Sequence, residues 1–155
     1  MGGRYRLSRN LSWSEVLRGS GYSSRDDVPA DVRARIEWAA VEVFQPLRDA
    51  WDGPLRTVSA IRSVEVNRAC GGAKRSRHVV GDAFDIRPKD RWRLLELYDL
   101  ADAMQRDGRL PPGGLGVYWW RGKPRFFHID GRGRRARWNA KHLAALRAGT
   151  LEHIP

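Results

Sequence analysis

Ten consecutive residues, Ser76-Arg77-His78-Val79-Val80-Gly81-Asp82-Ala83-Phe84-Asp85, constrain this chain more than any other stretch. They set an imidazole and a carboxylate seven positions apart, with a glycine between them. If the backbone turns at Gly81 and re-enters a strand ending at Asp85, both side chains reach one point. Imidazole nitrogen and carboxylate oxygen are ordinary ligands for zinc, which takes four donors, or three and an open position where it does chemistry. A third donor is available in Phe126-Phe127-His128-Ile129-Asp130. His78, Asp85 and His128 would then form a two-histidine, one-carboxylate set, and the same set also suits iron in oxygen chemistry.

With 155 residues, 41% of them hydrophobic, the chain is long and apolar enough for one core. A single domain is expected over 1–155, with 1–27 as an N-terminal extension and 139–155 as a C-terminal helix and tail. No apolar run approaches the roughly 18 residues of a membrane span. Basic residues near Met1 are not followed by an apolar stretch, so no signal peptide is expected. The protein would be made in the cytoplasm, and action outside it would need another route of delivery. Cys70, the only cysteine, cannot form an internal disulfide and is expected as a small buried residue outside the site.

The net charge of +11 implies an anionic partner. Between Arg121 and Arg147 nine Lys and Arg stand against one acid, Asp130. This segment is either a solvated basic face or a contact surface for nucleic acid or the anionic polymers of a bacterial cell wall.

Ser12 followed by Glu15 forms a capping-box pattern and predicts a short helix anchored by Trp13, Val16 and Leu17, then a loop over 19–27. From Pro29 to Trp51, Val32, Ile36, Ala39, Ala40, Val43 and Leu47 recur at helical spacing, with Pro46 kinking or ending the last turn. Residues 56–61 read as a strand, 62–77 as a loop, and 83–86 as a short apolar strand. Asp90 caps a second helix to about Gln105, with Leu94, Leu97, Tyr98, Ala101 and Met104 inward. Strands at 115–120 and 125–129 flank Arg121-Gly122-Lys123-Pro124 as a hairpin loop, placing His128 near the Asp85 strand. Asn139 caps a final helix closed by Gly149.

A two-histidine, one-carboxylate zinc site lowers the pKa of its water towards ~7 and can hydrolyse an amide without a covalent intermediate. Asp130, two residues from His128, faces the same side of the strand. It could act as general base or as the acceptor that fixes a ligand imidazole. Arg62 could hold a carbonyl oxygen or a substrate carboxylate, although spacing alone does not separate it from a surface arginine. His142 and His153 are expected at the surface.

Ser76-x-His78-x-x-Gly81-x-Ala83-x-Asp85 resembles the signature of the zinc D-alanyl-D-alanine carboxypeptidase family, which includes vancomycin-resistance dipeptidases and phage L-alanyl-D-glutamate endolysins. Upstream, Ser59-Ala60-Ile61-Arg62-Ser63 with Asn67 and Gly71-Gly72 is similar to the family's run before the signature. Downstream, Gly113-Gly114-Leu115-Gly116-Val117-Tyr118 and Phe127-His128-Ile129-Asp130 resemble its ending. Gln45-Pro46-Leu47-Arg48 is similar to the phage and prophage branch. The resemblance implies an α+β fold of the hedgehog/D,D-peptidase type, a small antiparallel sheet flanked by helices. It implies zinc on His78, Asp85 and His128, with Asp130 and Arg62 catalytic and Arg62, Asn67, Ser76 and Tyr118 binding substrate. The implied substrate is a peptidoglycan stem peptide or its cross-link. Two departures stand out: Ala60-Ile61 replaces the usual Gly-Tyr, and Arg125 occupies the position of a catalytic acid in the dipeptidase relatives. A non-catalytic, metal-stabilised basic module is the alternative, with Arg132 to Arg137 and Trp138 as its contact surface.

Overall fold

Alternation along the strands divides one sheet into a greasy face and a polar one, and the fold follows from covering the first. The computed structural model describes residues 5–150. His153, the end of the C-terminal tail and most of the segment considered for a signal peptide lie outside them. After a two-stranded ribbon, β1 (Arg6–Ser8) and β2 (Leu11–Ser12), come helices α1 (Trp13–Leu17), α2 (Ala30–Ala39) and α3 (Gln45–Ala50). Then follow β3 (Leu55–Ser59), α4 (Val64–Ala69), α5 (Arg77–Val80), β4 (Ala83–Pro88) and α6 (Leu94–Arg106). The chain closes with β5 (Gly114–Trp120), β6 (Lys123–Asp130), β7 (Ala136–Trp138) and α7 (Ala140–Ala148).

The five-stranded sheet has the order β3-β4-β6-β5-β7. Its first four strands are antiparallel, whereas β7 joins the β5 edge in parallel, an addition to the small antiparallel sheet expected. Phe84 and Ile86 on β4, Leu115 and Val117 on β5, and Phe127 and Ile129 on β6 are buried on one face. Ile36 of α2, Phe44 just before α3 and Leu47 of α3 cover them, with Leu97, Tyr98 and Met104 from α6. Phe44 meets Phe84 at 5.5 Å and Tyr98 meets Phe127 edge-on at 6.1 Å between ring centroids. The five inward positions expected for α6 are all buried.

The described part of the N-terminal segment, residues 5–27, does more than extend the fold. Leu11, Trp13 and Val16 join the main core, and Ser12 with Glu15 closes a capping box. Pro46 neither ends nor interrupts the long helix. A π-helical turn over Ala40–Phe44 bridges α2 to α3, and the helix runs on to Ala50. Proline lacks a donor and clashes with the carbonyl four residues back, and a wider turn just before it accommodates both.

The loop expected over 62–77 contains α4, capped by the Ser63 hydroxyl on the Val66 N–H at 3.2 Å. Six residues are too few for apolar periodicity to show. The hairpin loop is shorter than expected: only Arg121 and Gly122 turn, with φ of 52° and 72°, the positive-φ pair that suits a two-residue hairpin. Lys123 and Pro124 belong to β6. Asn139 leaves its side chain uncommitted to α7 and instead donates to the Val117 carbonyl at 2.9 Å, while Gly149 ends α7 at φ 69°.

Asp102 fastens α6 to the β7 segment. Arg137 donates to it from Nε at 3.2 Å and from Nη2 at 2.7 Å, and Arg135 adds a bond at 3.1 Å. Burial pushes the Asp102 carboxyl up, but the Arg137 bond and the charges of both arginines hold it below the usual range. A depressed folded pKa stabilises above the unfolded value of about 3.9 and is lost as pH falls through the folded one. Asp102→Asn should therefore cost about 1–3 kcal/mol at pH 7. In denaturant titrations the gap from the parent should close below about pH 4.

Candidate metal centre and cleft

Gly81 gives the signature segment its shape. Its φ is 108°, and a Cβ there would lie 2.8 Å from the Val32 carbonyl, so the chain passes against α2 only as glycine. The turn carries the backbone from α5 directly into β4. His78 therefore projects from a one-turn helix, and Asp85 from a strand beside it. On the next strand His128 lies directly opposite Asp85, with Gly116 of β5 opposite His128 in turn. All three side chains are buried, and their potential ligand atoms lie within 4.8 Å of one another.

Each ring is oriented from behind. His78 Nδ1 bonds the Ala60 carbonyl, which turns Nε2 towards Asp85 Oδ2 at 3.2 Å. His128 Nε2 bonds Asp130 Oδ2 at 2.7 Å, leaving Nδ1 at 3.1 Å from Asp85 Oδ1. The two imidazoles thus present different nitrogens to one point, and each Asp85 oxygen faces one ring. Burial pushes Asp85 up, yet the bonds from His128 and His78 hold it well below the ordinary carboxylate range. Burial pushes His128 down, and the bonds to Asp130 and Asp85 reverse this and raise it. A buried anion between two imidazoles favours positive charge at that point, and two nitrogens plus one carboxylate form a donor set that fits zinc.

Asp130 is fully buried and committed on every side. Besides His128 it accepts Arg132 Nη2 at 2.7 Å, Arg132 Nε at 2.9 Å and the Gly114 N–H at 3.0 Å. Burial pushes its carboxyl up, and the bonds from His128 and Arg132 bring it far below the usual range. It faces the back of the imidazole, away from the open side.

A cleft of about 570 Å³ opens over the three residues. Arg62, Ser76 and Tyr118 line it; Asn67 does not. Arg62 Nη2 lies 3.4 Å from Asp85 Oδ2, while Nε and Nη1 are each held at 3.3 Å by Ser59 Oγ and Asn67 Oδ1. Asn67 is buried and spans to the Ala73 carbonyl at 3.0 Å, so it braces Arg62 and the loop behind it. Ser76 Oγ accepts the His78 N–H at 3.3 Å as the cap of α5. Cys70 is exposed, contrary to expectation, because the end of α4 leaves it on the surface near Arg62. His142 is half-buried rather than at the surface, its ring 3.4 Å from that of Trp119.

Three residues of the site escape sequence reasoning. Trp138 brings its ring within 5.1 Å of His128 and donates to the Tyr118 hydroxyl at 2.8 Å. It fits because residue 116 is glycine: a Cβ there would lie 2.7 Å from Trp138 Cδ1. Fully buried Asp82 takes the Nε bonds of Arg35 and Arg77, both at 2.9 Å. Arg35 also donates to the Gly131 carbonyl at 2.8 Å, and so ties the segment bearing His78 and Asp85 to the one bearing His128. Gly116 and Asp82 were the available signals, but neither names its partner. Gly116→Ala should displace Trp138 and cost about 1–3 kcal/mol in denaturant unfolding.

Comparison with curated proteins finds no matching sequence. A family model described as peptidase M15 matches residues 12–130, which take in β3 to β6 with His78, Asp85 and His128. The fold is accordingly the α+β arrangement of the hedgehog/D,D-peptidase type. The chain belongs to the peptidase M15 family, a family of metallopeptidases.

Proposed function

We propose that this protein is a zinc-dependent peptidase that hydrolyses peptidoglycan stem or cross-link peptides, with His78, Asp85 and His128 as the metal ligands. The convergence of His78 Nε2, His128 Nδ1 and both Asp85 oxygens on one buried point at the floor of the cleft carries this reading. When bound, zinc supplies a Lewis acid that polarises the scissile carbonyl and activates water.

The chain's own residues position and bind. Asp130 orients His128 and, being buried behind it, serves as a positioning residue rather than as the general base. Among the described residues the cleft is lined by no carboxylate other than Asp85. Arg62, braced by Ser59 and Asn67, directs a guanidinium into the cleft for a substrate carboxylate or carbonyl oxygen. Tyr118, stacked on Phe126 at 5.0 Å and held by Trp138, forms a wall for the peptide, with Ser76 on the cleft lining. Similarity of Gln45-Pro46-Leu47-Arg48 to the phage and prophage branch supports a lytic setting at the bacterial cell wall. Arg132, Arg135 and Arg137 are ion-paired to Asp130 and Asp102, which weakens the alternative of a binding module built on them.

Metal analysis of the purified protein, with mass spectrometry of peptidoglycan it has digested, tests the proposal. Near-stoichiometric zinc with new peptide termini is expected. His78→Ala and Asp85→Ala should abolish hydrolysis in a folded chain. Hydrolysis persisting in metal-free His78→Ala would overturn the mechanism.

Asp130→Asn separates positioning from base catalysis. Its zinc affinity should fall about 10–100-fold, and saturating zinc should restore most of the activity. A turnover defect that persists at full zinc occupancy would return Asp130 to the role of base. Arg62→Gln should lower hydrolysis on the order of 10²–10³-fold at unchanged zinc content, read from steady-state rates and metal analysis.

A further inference from the structure

The basic C-terminal run is only partly available to a partner. Arg132 pairs with Asp130, Arg135 and Arg137 with Asp102, and Arg147 with Asp99, so four of its nine basic residues are committed to acids. A second cavity, of about 400 Å³, is lined by Arg18, Arg56, Arg87, Arg91 and Arg125 together with Thr57 and Val58. Among the described residues none of these five arginines makes an ion pair with a carboxylate, whereas Arg62, Arg77 and Arg132 around the metal centre all do.

Local structure works against this cluster, and yet it is built. Arg56 on β3 and Arg87 on β4 are directly opposite partners, a placement in which like charges destabilise a strand pair. Burial, with the charges of Arg56, Arg91 and Arg125 added to it, pushes the Arg87 guanidinium below its ordinary value. Arg125 arrives through a bulge. Tyr118 pairs with Phe126 and Trp119 with Pro124, so Arg125 is the extra residue of β6 and is left without a partner on β5. A bulge re-aims a side chain, and this one sets the Arg125 guanidinium over Trp120 at 5.3 Å, at the edge of the arginine cavity. Local rules broken in this way are expected at functional sites.

The cavity lies on the same face of the sheet as the metal centre. Asp85 and Arg87 are two residues apart on β4 and point the same way, roughly 7 Å from each other along the strand. A molecule whose peptide enters the cleft would therefore run past the arginines. Five guanidiniums without an acid match a chain of phosphates better than one carboxylate, since each planar fork can bind phosphate oxygens in pairs.

We infer that Arg18, Arg56, Arg87, Arg91 and Arg125 form a docking subsite for a phosphodiester polymer attached to the cell wall, beside the metal cleft. The inference rests on the cell-wall reading above, and its test is separable from that of the peptidase. Co-sedimentation of the full chain with walls bearing phosphodiester polymer, and with the same walls stripped of it, reads the site. Intact walls should bind about tenfold or more tightly, and Arg56→Gln/Arg87→Gln should lose that preference. Hydrolysis of a soluble stem peptide by the double variant should be unchanged, and its melting temperature should not fall, because an opposed pair of like charges has been removed. If the double variant misfolds, Arg91→Gln/Arg125→Gln on the turn and the bulge gives the same reading. Inorganic phosphate competing at millimolar level against intact walls would support the site. Retention of the preference by a folded double variant overturns it. Duplex DNA binding that exceeds wall binding and vanishes in the double variant overturns it in favour of nucleic acid. Arginine-dependent wall binding without any peptide hydrolysis leaves the docking site standing and removes the peptidase.

Discussion

Asp85 between two imidazoles is the interaction on which the rest of this structure depends. A buried carboxylate is costly unless its charge is met, and here both oxygens are met by ring nitrogens from different elements. One ring comes from α5, held by the turn at Gly81; the other comes from the neighbouring strand, directly opposite. The three side chains therefore have defined positions only when the turn, the β4–β6 register and the backs of both rings are all in place. A one-residue slip between β4 and β6 would send His128 into the core and Phe127 into the cleft.

Two further buried carboxylates hold that register. Asp82 gathers Arg35 and Arg77, and Arg35 continues to the Gly131 carbonyl, so a helix on the covered side clamps the segment of His78 and Asp85 to that of His128. Asp130 gathers Arg132, the Gly114 amide and His128. In each case a buried acid is satisfied by several donors at once, the condition under which such a group supports a fold rather than weakens it. Arginine has two settings in this protein: around the candidate metal centre it satisfies acids, and farther along the same sheet face it gathers, among the described residues, with none.

Local patterns made most of the scaffold legible. The capping box at Ser12, the inward stripe of α6, the hairpin and the final helix all rest on contacts within a few residues, and the structure reproduces them. Elements that escaped are those whose local signal is weak or contradicted. Six-residue α4 is too short for periodicity, β7 pairs with residues twenty-two positions before it, and Pro46 reads as a helix breaker until the π-turn before it is seen. Asn67 shows the same limit in the cleft: a polar residue in a recognisable run is placed behind Arg62, bracing it from outside the lining.

By itself the sequence determined the residue types available for a metal, the turn at Gly81 and the helical and strand periodicities. These are properties of neighbouring residues or of single side chains. Tertiary structure decided which nitrogen of each histidine faces Asp85, that Asp130 stands behind a ring, that Trp138 roofs Gly116, and which arginines remain unpaired. Each of those outcomes depends on residues brought together from separate strands, and the register and packing that join them are set by the whole sheet at once.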